Sequence, residues 1–523
     1  MKRVFLYPLV LLLLLNCKKE QKEDRPEAQI QKIDSPASMN EKYRPQFHFT
    51  PKEKWMNDPN GLVYHNGIYH LFYQHYPEDI VWGPMHWGHA TSMDLIHWKH
   101  QPIALYPDKH GLIFSGSAVV DKKNTAGFGK NGKTPLVAIF TYHSMEGEKA
   151  GRDDFQTQGI AYSLDDGQTW TKYKGNPVIG NPTGIRDFRD PKVFWHRASR
   201  QWIMILVAGD HAKFYSSPNL KDWTHLSDFG KDKGAHGGVW ECPDLFKMKV
   251  QDSEEEKWVL LISINPGAPN GGSGTQYFVG DFDGITFTTD QKETKWIDRG
   301  MDNYAGITYN NAPYDRRVFI GWMSNWNYAR DTPTKVWRSA MTMPRDLRLV
   351  KEQDVYFLKS QPIRELGSYI GETLFRTDIV VDSKKSFSKD FDDLNRTAIS
   401  FDTNLSKDLK LTFSNKQGDS LVIGVDTEQQ QLFLDRSASG IVNFEKSFAE
   451  RPQVIPIDVS DKDVPFELYL DRSSIELFVE KGKYVLTAQV FPNVPYTNIS
   501  ISADKKAELS TFTVQPIRSS WDE

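Results

Sequence analysis

Asp58-Pro59-Asn60-Gly61-Leu62-Val63 sets a carboxylate and a rigid turn directly ahead of an apolar strand, and four more times along the chain a carboxylate or small polar residue opens such a strand. The repeats are Ser115-Gly116-Ser117-Ala118-Val119-Val120, Asp190-Pro191-Lys192-Val193-Phe194-Trp195, Glu241-Cys242-Pro243-Asp244-Leu245-Phe246 and Asp302-Asn303-Tyr304-Ala305-Gly306-Ile307. A second apolar strand follows each opening, at 68–75, 136–143, 202–209, 258–265 and 318–325. Their starts are separated by 68, 66, 56 and 60 residues, a period that fits one propeller blade. Outer hairpins recur as well: Ser92-Met93-Asp94…Trp98, Ser163-Leu164-Asp165…Trp170, Ser216…Asp222-Trp223 and Gly280-Asp281-Phe282-Asp283…Phe287 each join a small residue, an acidic turn and an aromatic. No stretch before residue 350 sustains an apolar stripe of period 3.6 over a helical length. The expectation is an all-β chain: a five-bladed β-propeller over 43–350, followed by a C-terminal β-sandwich. If each opening starts the innermost strand of a blade, Asp58, Asp190 and Glu241 converge at one end of the central channel.

Beyond residue 349 the texture changes. Residues 351–370 read as a connector, partly helical around 362–366. Short alternating strands then follow at 398–402, 409–414, 420–426, 466–470, 474–479 and 485–491, spaced as in a sandwich over 371–523. No cluster of titratable residues there resembles a catalytic site, so packing against the propeller is its expected role.

The chain has 523 residues with 15 Trp, 21 Tyr and 30 Phe, enough for more than one core. A formal charge of -4 without a basic stripe argues against nucleic acid as a partner. Two cysteines exclude a disulfide framework. Lys2 and Arg3 precede an apolar run from Val4 to Leu15 that is too short to span a bilayer comfortably, so residues 1–16 read as an export leader. Cys17 follows Leu14-Leu15-Asn16, which resembles a bacterial lipoprotein processing site, although Asn16 is less typical there than Gly, Ala or Ser. Lipid chains on Cys17 would be the membrane attachment. Residues 17–42 are charged and lack aromatics, as expected of a flexible tether. The expected location is an exported lipoprotein at an outer membrane, on its periplasmic or surface face.

Three carboxylates carry the chemistry. Asp58, alone, reads as a turn aspartate bonding local amides. Arg189 beside Asp190 reads as an ion pair, and both reach the channel only if the strand has not yet begun, because successive strand residues face opposite ways. Glu241 lies between Trp240 and Cys242, an environment poor in polar partners. Cys242 has no Cys-His-Asn setting that would make it a nucleophile. Together, however, paired carboxylates on a rigid frame ringed by tryptophans suit cleavage of a glycosidic bond.

The strings WMNDPNG at 55–61, FSGS at 114–117, FRDP at 188–191 and ECPD at 241–244 resemble those of glycoside hydrolase family 32, the invertases, inulinases and levanases. Asp471-Arg472-Ser473-Ser474-Ile475-Glu476-Leu477-Phe478 resembles a stretch of that family's C-terminal sandwich. The resemblance runs in order over roughly 43–520. It implies a retaining mechanism in which Asp58 is the nucleophile, Glu241 the general acid/base and Asp190 the transition-state stabiliser, with Arg189 beside it. Chemistry agrees with the division, since a retaining enzyme needs one ionised and one protonated carboxyl about 5–5.5 Å apart. Asn57, Gln74 and Ser115 would offer neutral hydrogen bonds to a furanose, and Trp55, Trp82, Phe114 and Trp326 apolar walls. His86, Trp87, His89, His143 and His236 read as packing residues. No cofactor is implied, and no His, Cys or carboxylate cluster has metal-ligand spacing.

The segment from Trp82 to Ala90, with Phe114–Val119, is more similar to exo-inulinases and levanases than to plant vacuolar enzymes. The expectation is therefore an exo-acting β-fructosidase that releases terminal fructose from inulin, levan or sucrose. An endo-levanase or endo-inulinase, a fructosyltransferase and a non-catalytic fructan-binding module are the alternatives.

Overall fold

A computed structural model describes Met1 and residues 38–521. The expected leader, Cys17 and the tether as far as residue 37 lie outside the described residues, as do 522–523. Five antiparallel sheets follow in chain order. Blade one runs from Lys54–His65 through Ile68–Tyr76 and His86–Ser92 to Lys99–Leu105. The innermost strands of the other four are Leu112–Val120, Phe188–His196, Val239–Lys249 and Tyr304–Thr308. Trp337–Arg338, from the chain between two strands of blade five, pairs in parallel with Lys54 and Trp55 and ties the last blade to the first.

Second strands read as unbroken apolar runs because both of their faces are covered. Leu136–His143 is buried at all eight positions, since each blade is sandwiched between two others. The core is accordingly divided into layers. Phe72, Trp87, Ile113 and Phe140 fill the space between blades one and two. Val137, Ile160, Val193 and Met204 lie between two and three, and Ile203, Phe214, Leu260 and Ile262 between three and four. Leu261, one residue along from Leu260, points the other way into the layer with Phe319 and Leu347, as strand alternation requires.

The recurring hairpin motif has a common cause. Ser92 Oγ accepts the N–H of Leu95 while an Asp94 oxygen accepts those of Ile96 and His97. Ser163 and Asp165 repeat the arrangement, and Asp283 accepts from Ile285 and Thr286. The third instance is built on Ser217 and Asn219 rather than on Ser216 and Asp222: Asn219 Oδ1 accepts the N–H of Lys221 and Asp222. An amide oxygen serves such a turn as well as a carboxylate.

The end of the propeller differs from the expectation. Arg345–Glu352 and Val355–Pro362 pair as the outer hairpin of blade five, so most of the supposed connector over 351–370 belongs to the propeller. Its turn carries Gln353 and Asp354 at φ +48° and +66° with no glycine to announce it. Only the 3-10 turn Arg364–Tyr369 and the few residues after it connect the two parts. Two six-stranded sheets then form the sandwich, closing on Ile399, Phe413, Leu434, Leu477 and Leu509.

Propeller and sandwich meet across buried charges. His48 lies between Asp471 at 2.8 Å and Glu476 at 2.9 Å. Arg345 of blade five joins Asp298 at 2.9 Å and Glu476 at 2.5 Å. Asp302, which opens the fifth repeat, serves this seam: its carboxylate takes Arg436 of the sandwich at 2.7 Å and accepts the Tyr328 hydroxyl.

Candidate active site

Every innermost strand breaks register at the position the sequence motif marks. In blade one the break falls between Met56 and Pro59, leaving Asn57 and Asp58 unmatched. In blade two it leaves Phe114 and Ser115, in blade three Asp190 and Pro191, in blade four Cys242 and Pro243, and in blade five Ala305 and Gly306. A bulge re-aims side chains that regular pleating would bury in a blade. The strand in blade three has therefore begun before the motif, contrary to expectation. Arg189 and Asp190 both reach the site because Asp190 takes φ +63°. Cys242 and Ala305 are also left-handed, at φ +46° and +53°, each at a cost of about 1–3 kcal/mol that the surrounding blades hold in place.

Asp58 sits at the centre. Its Oδ1 accepts Asn57 Nδ2 at 3.0 Å and its Oδ2 accepts Ser115 Oγ at 2.7 Å. The Cys242 thiol lies 3.5 Å from Asp58 Oδ2 and 3.6 Å from Asp190 Oδ2, so one sulfur spans the two carboxylates. Asp190 Oδ2 also accepts the Cys242 backbone N–H at 2.9 Å. Glu241 is gripped from both sides: Arg189 Nη2 donates to Oε1 at 3.0 Å and the Tyr304 hydroxyl donates to Oε2. Arg189 is held in turn by Asp187 at 2.6 Å, whereas Asp190 is 3.9 Å away. Asp58 and Glu241 are partly exposed and Asp190 is buried.

Three carboxylates around one guanidinium leave negative charge in excess. Burial, then repulsion from Glu241, raises Asp58 above the ordinary carboxylate range, against the donors from Ser115, Asn57 and Cys242. Burial pushes Asp190 up to about 7; Arg189 opposes that rise while Glu241 and Asp58 add to it. Burial and the surrounding carboxylates push the Cys242 thiol upward, so it stays protonated and a weak donor. Burial and Glu241 likewise keep the Tyr304 phenol protonated.

The pocket residues divide into walls and supports. Trp82 and Phe114 are partly exposed and meet edge to face with centroids 6.1 Å apart. Phe114 stacks on His143 at 4.2 Å, and His143 is braced by Glu148 and Gln156. Trp326 is partly exposed and packs on Trp322 at 4.9 Å and Trp55 at 6.0 Å. Trp55 itself is wholly buried and donates Nε1 to Asn57 Oδ1 at 2.7 Å. It backs the site rather than walling it, because a side chain fully enclosed by its neighbours has no face left for a sugar. Asn57 and Ser115 are similarly occupied in orienting Asp58. Gln74 shares the blade-two side of its strand with Phe72, and its buried Nε2 has no protein partner, a donor left over for a ligand.

Glu241 is not in the partner-poor setting its neighbours suggested, since Trp240 turns into the core of blades three and four. Tyr304 and Asp187 were not singled out from the sequence. Tyr304 flanks the fifth bulge, so the repeat itself was the signal that could have found it. His86, His89 and His143 pack as expected, and His236 pairs with Asp210 at 3.1 Å. Among the described residues no group of three or more His, Cys, Asp or Glu is arranged to hold a metal ion.

The chain as a whole is similar to known proteins. The model of the glycosyl hydrolases family 32 N-terminal domain matches residues 48–362, and that of the family 32 C terminal matches 374–516. Over 492 residues the chain is 44% identical to a levanase of Bacillus subtilis, covering 92% of this chain and 71% of the relative. It is 36% identical over 518 residues to an invertase of Schizosaccharomyces pombe, covering 92% and 86%. The crystal structure of an exo-inulinase from Aspergillus awamori superposes with a TM-score of 0.85 at 39% identity, covering 93% of this chain and 99% of that one.

Proposed function

Because the chain belongs to glycoside hydrolase family 32, we propose a division of labour among the three converged carboxylates. The protein is an exo-acting β-fructosidase that releases terminal fructose from fructans and sucrose. Asp58 attacks the anomeric carbon of the terminal fructose while Glu241 gives its proton to the departing glycosidic oxygen. The bond to the leaving sugar breaks and a fructosyl ester on Asp58 forms. Glu241, now ionised, takes a proton from water; the water oxygen attacks the same carbon and frees Asp58. Asp190 holds sugar hydroxyls more tightly as oxocarbenium character develops. Arg189 and Tyr304 fix Glu241, and Asn57 and Ser115 fix Asp58.

One observation carries this reading. Side chains from blades one, three and four, scattered over 184 residues of sequence, meet around the Cys242 sulfur and the Arg189 guanidinium. Product sizing on sucrose, inulin and levan tests it: free fructose is expected from the first minutes. Early oligosaccharides without fructose would indicate an endo enzyme, and lengthening of sucrose into fructans would indicate a transferase.

The cellular setting rests on the sequence alone. Lipidation of Cys17 after removal of the leader would tether the enzyme to an outer membrane through residues 18–42. Cys17→Ser is expected to release it into the soluble fraction and abolish incorporation of labelled palmitate.

A further inference from the structure

The mouth of the site has two unlike rims. On the side of blades two and three, the chain over 144–155 and 181–187 carries Arg152, Asp154, Arg186 and Asp153, engaged in ion pairs at 2.9–3.6 Å. A neutral polyol gains little from charges already satisfied by each other. On the side of blade one, the rim presents the rings of His86 and Tyr106, beside the Lys172–Asp108 ion pair. Tyr106 follows the outermost strand at the carboxylate end of the blade, and it is 55% exposed. The other strongly exposed aromatic ring among the described residues, Tyr314, lies in the turn at the opposite end of the propeller.

Tyr106 is presented on a stiff support. Its ring meets His86 edge to face at 5.4 Å. Its carbonyl accepts Lys172 Nζ, which also binds Asp108 at 2.7 Å. Asp108 and Gly111 exchange backbone hydrogen bonds of 3.1 and 3.0 Å, and Asp108 accepts the Tyr142 hydroxyl. His86 begins the strand that continues into Trp87, whose Nε1 binds the carbonyl of Phe114, the residue packed against Trp82. The buried Trp87 therefore ties the strand that carries His86 to the pocket wall at Phe114.

We propose that His86 and Tyr106 form a second sugar-binding ledge, on which fructosyl units beyond the scissile bond stack when the terminal fructose of a long chain occupies the pocket. The inference rests on the β-fructosidase reading and adds a basis for preferring polymers over sucrose. Stacking on a pre-fixed ring costs little ordering, so it acts on binding rather than on the chemical step.

Initial rates on sucrose, a trisaccharide fructan and long-chain inulin and levan, for the wild type, Tyr106→Ala and Tyr106→Trp, test the ledge. Tyr106→Ala is expected to raise KM for a long fructan about fivefold to tenfold, from the loss of one aromatic stacking contact. kcat on the polymer and both constants on sucrose should change less than about twofold by the same argument. Tyr106→Trp should restore the polymer KM. Equal losses on sucrose and polymer, or an unchanged polymer KM in Tyr106→Ala, would overturn the ledge. Wild-type protein that freed fructose from none of these sugars would remove the functional reading itself, an outcome visible before any variant is made.

Discussion

Two clusters of buried charge sit in this molecule, built from the same residue types and tuned in opposite directions. At the catalytic end, Asp190 and Glu241 share one Arg189 that is already engaged by Asp187, Asp58 is held by the neutral donors Asn57 and Ser115, and Asp190 is driven up to about 7. At the seam, His48 and Arg345 interleave with Asp471, Glu476 and Asp298. There Glu476 is held down to about 2, against burial, chiefly by Arg345 and then by His48. His48 is held up at about 9, against burial, by its two carboxylates. Pairing each charge makes an interface, whereas withholding a partner makes carboxylates reactive.

Removing the charge that does the work gives the largest effect at the catalytic end. Asp58→Asn keeps the shape of the side chain but turns one acceptor oxygen into a donor and is a poor nucleophile, so kcat should fall about 10⁴-fold or more. Its thermal midpoint should not fall, because the substitution relieves repulsion between neighbouring carboxylates. A kinetic and calorimetric comparison with the wild type checks both halves. Hydrolysis near the wild-type rate would remove the nucleophile assignment.

The seam should respond in the opposite way. Glu476→Gln removes the carboxylate that Arg345 and His48 share and leaves each with one partner, Asp298 and Asp471; breaking such buried pairs costs up to about 3–5 kcal/mol. The loss should appear as a lowered unfolding midpoint, with KM for sucrose unchanged at temperatures where the fold holds. The pH dependence follows from the shifts. His48, raised from 6.5 to about 9, contributes fully below pH 6.5 and loses its contribution as pH rises through 9. Glu476, lowered from 4.5 to about 2, contributes above pH 4.5 and loses its contribution as pH falls through 2.

Asp190→Asn sharpens the contrast, because here activity and stability should part company. A carboxylate raised from 3.8 to about 7 makes a folding cost that is absent below pH 3.8 and complete above pH 7. The variant should therefore lose most activity yet gain about 1 kcal/mol or more of stability at neutral pH. Denaturant titrations at pH 4 and pH 7.5 measure the difference, which should shrink toward the acid value.

Period and motif made most of this legible in the sequence. The second strands over 136–143 and 318–325 lie within two residues of the observed Leu136–His143 and Val318–Met323, because an apolar run covered on both faces has a sharp end. Asp58, Asp190 and Glu241 were readable because each stands beside a proline or turn that marks a bulge. What escaped notice was long-range or unannounced. The turn at Gln353 and Asp354 lacks glycine, which hid the last hairpin of blade five. The role of Asp302 could not be read from the fifth repeat, because only its partner Arg436, 134 positions away, reveals that it serves the seam. Trp55 is indistinguishable by sequence from a pocket wall, since its enclosure depends on Trp322 and Trp326.

Cys242 should give the smallest effect, and one that reads out the local balance most directly. The thiol approaches Asp58 Oδ2 at 3.5 Å and Asp190 Oδ2 at 3.6 Å, distances of weak S–H donation. A donor to a carboxylate favours its ionised form, the form in which Asp58 attacks. Cys242→Ala deletes that donor, so the acid limb of kcat/KM should move to higher pH. Cys242→Ser substitutes a stronger donor on a side chain of similar reach, so the limb should stay or move to lower pH. Both variants keep a β-carbon at φ +46° and leave the backbone N–H that binds Asp190, so rates at the optimum should change by less than about tenfold. Parallel pH profiles for the two variants would show that the sulfur only fills space; opposed shifts would place it in the control of Asp58.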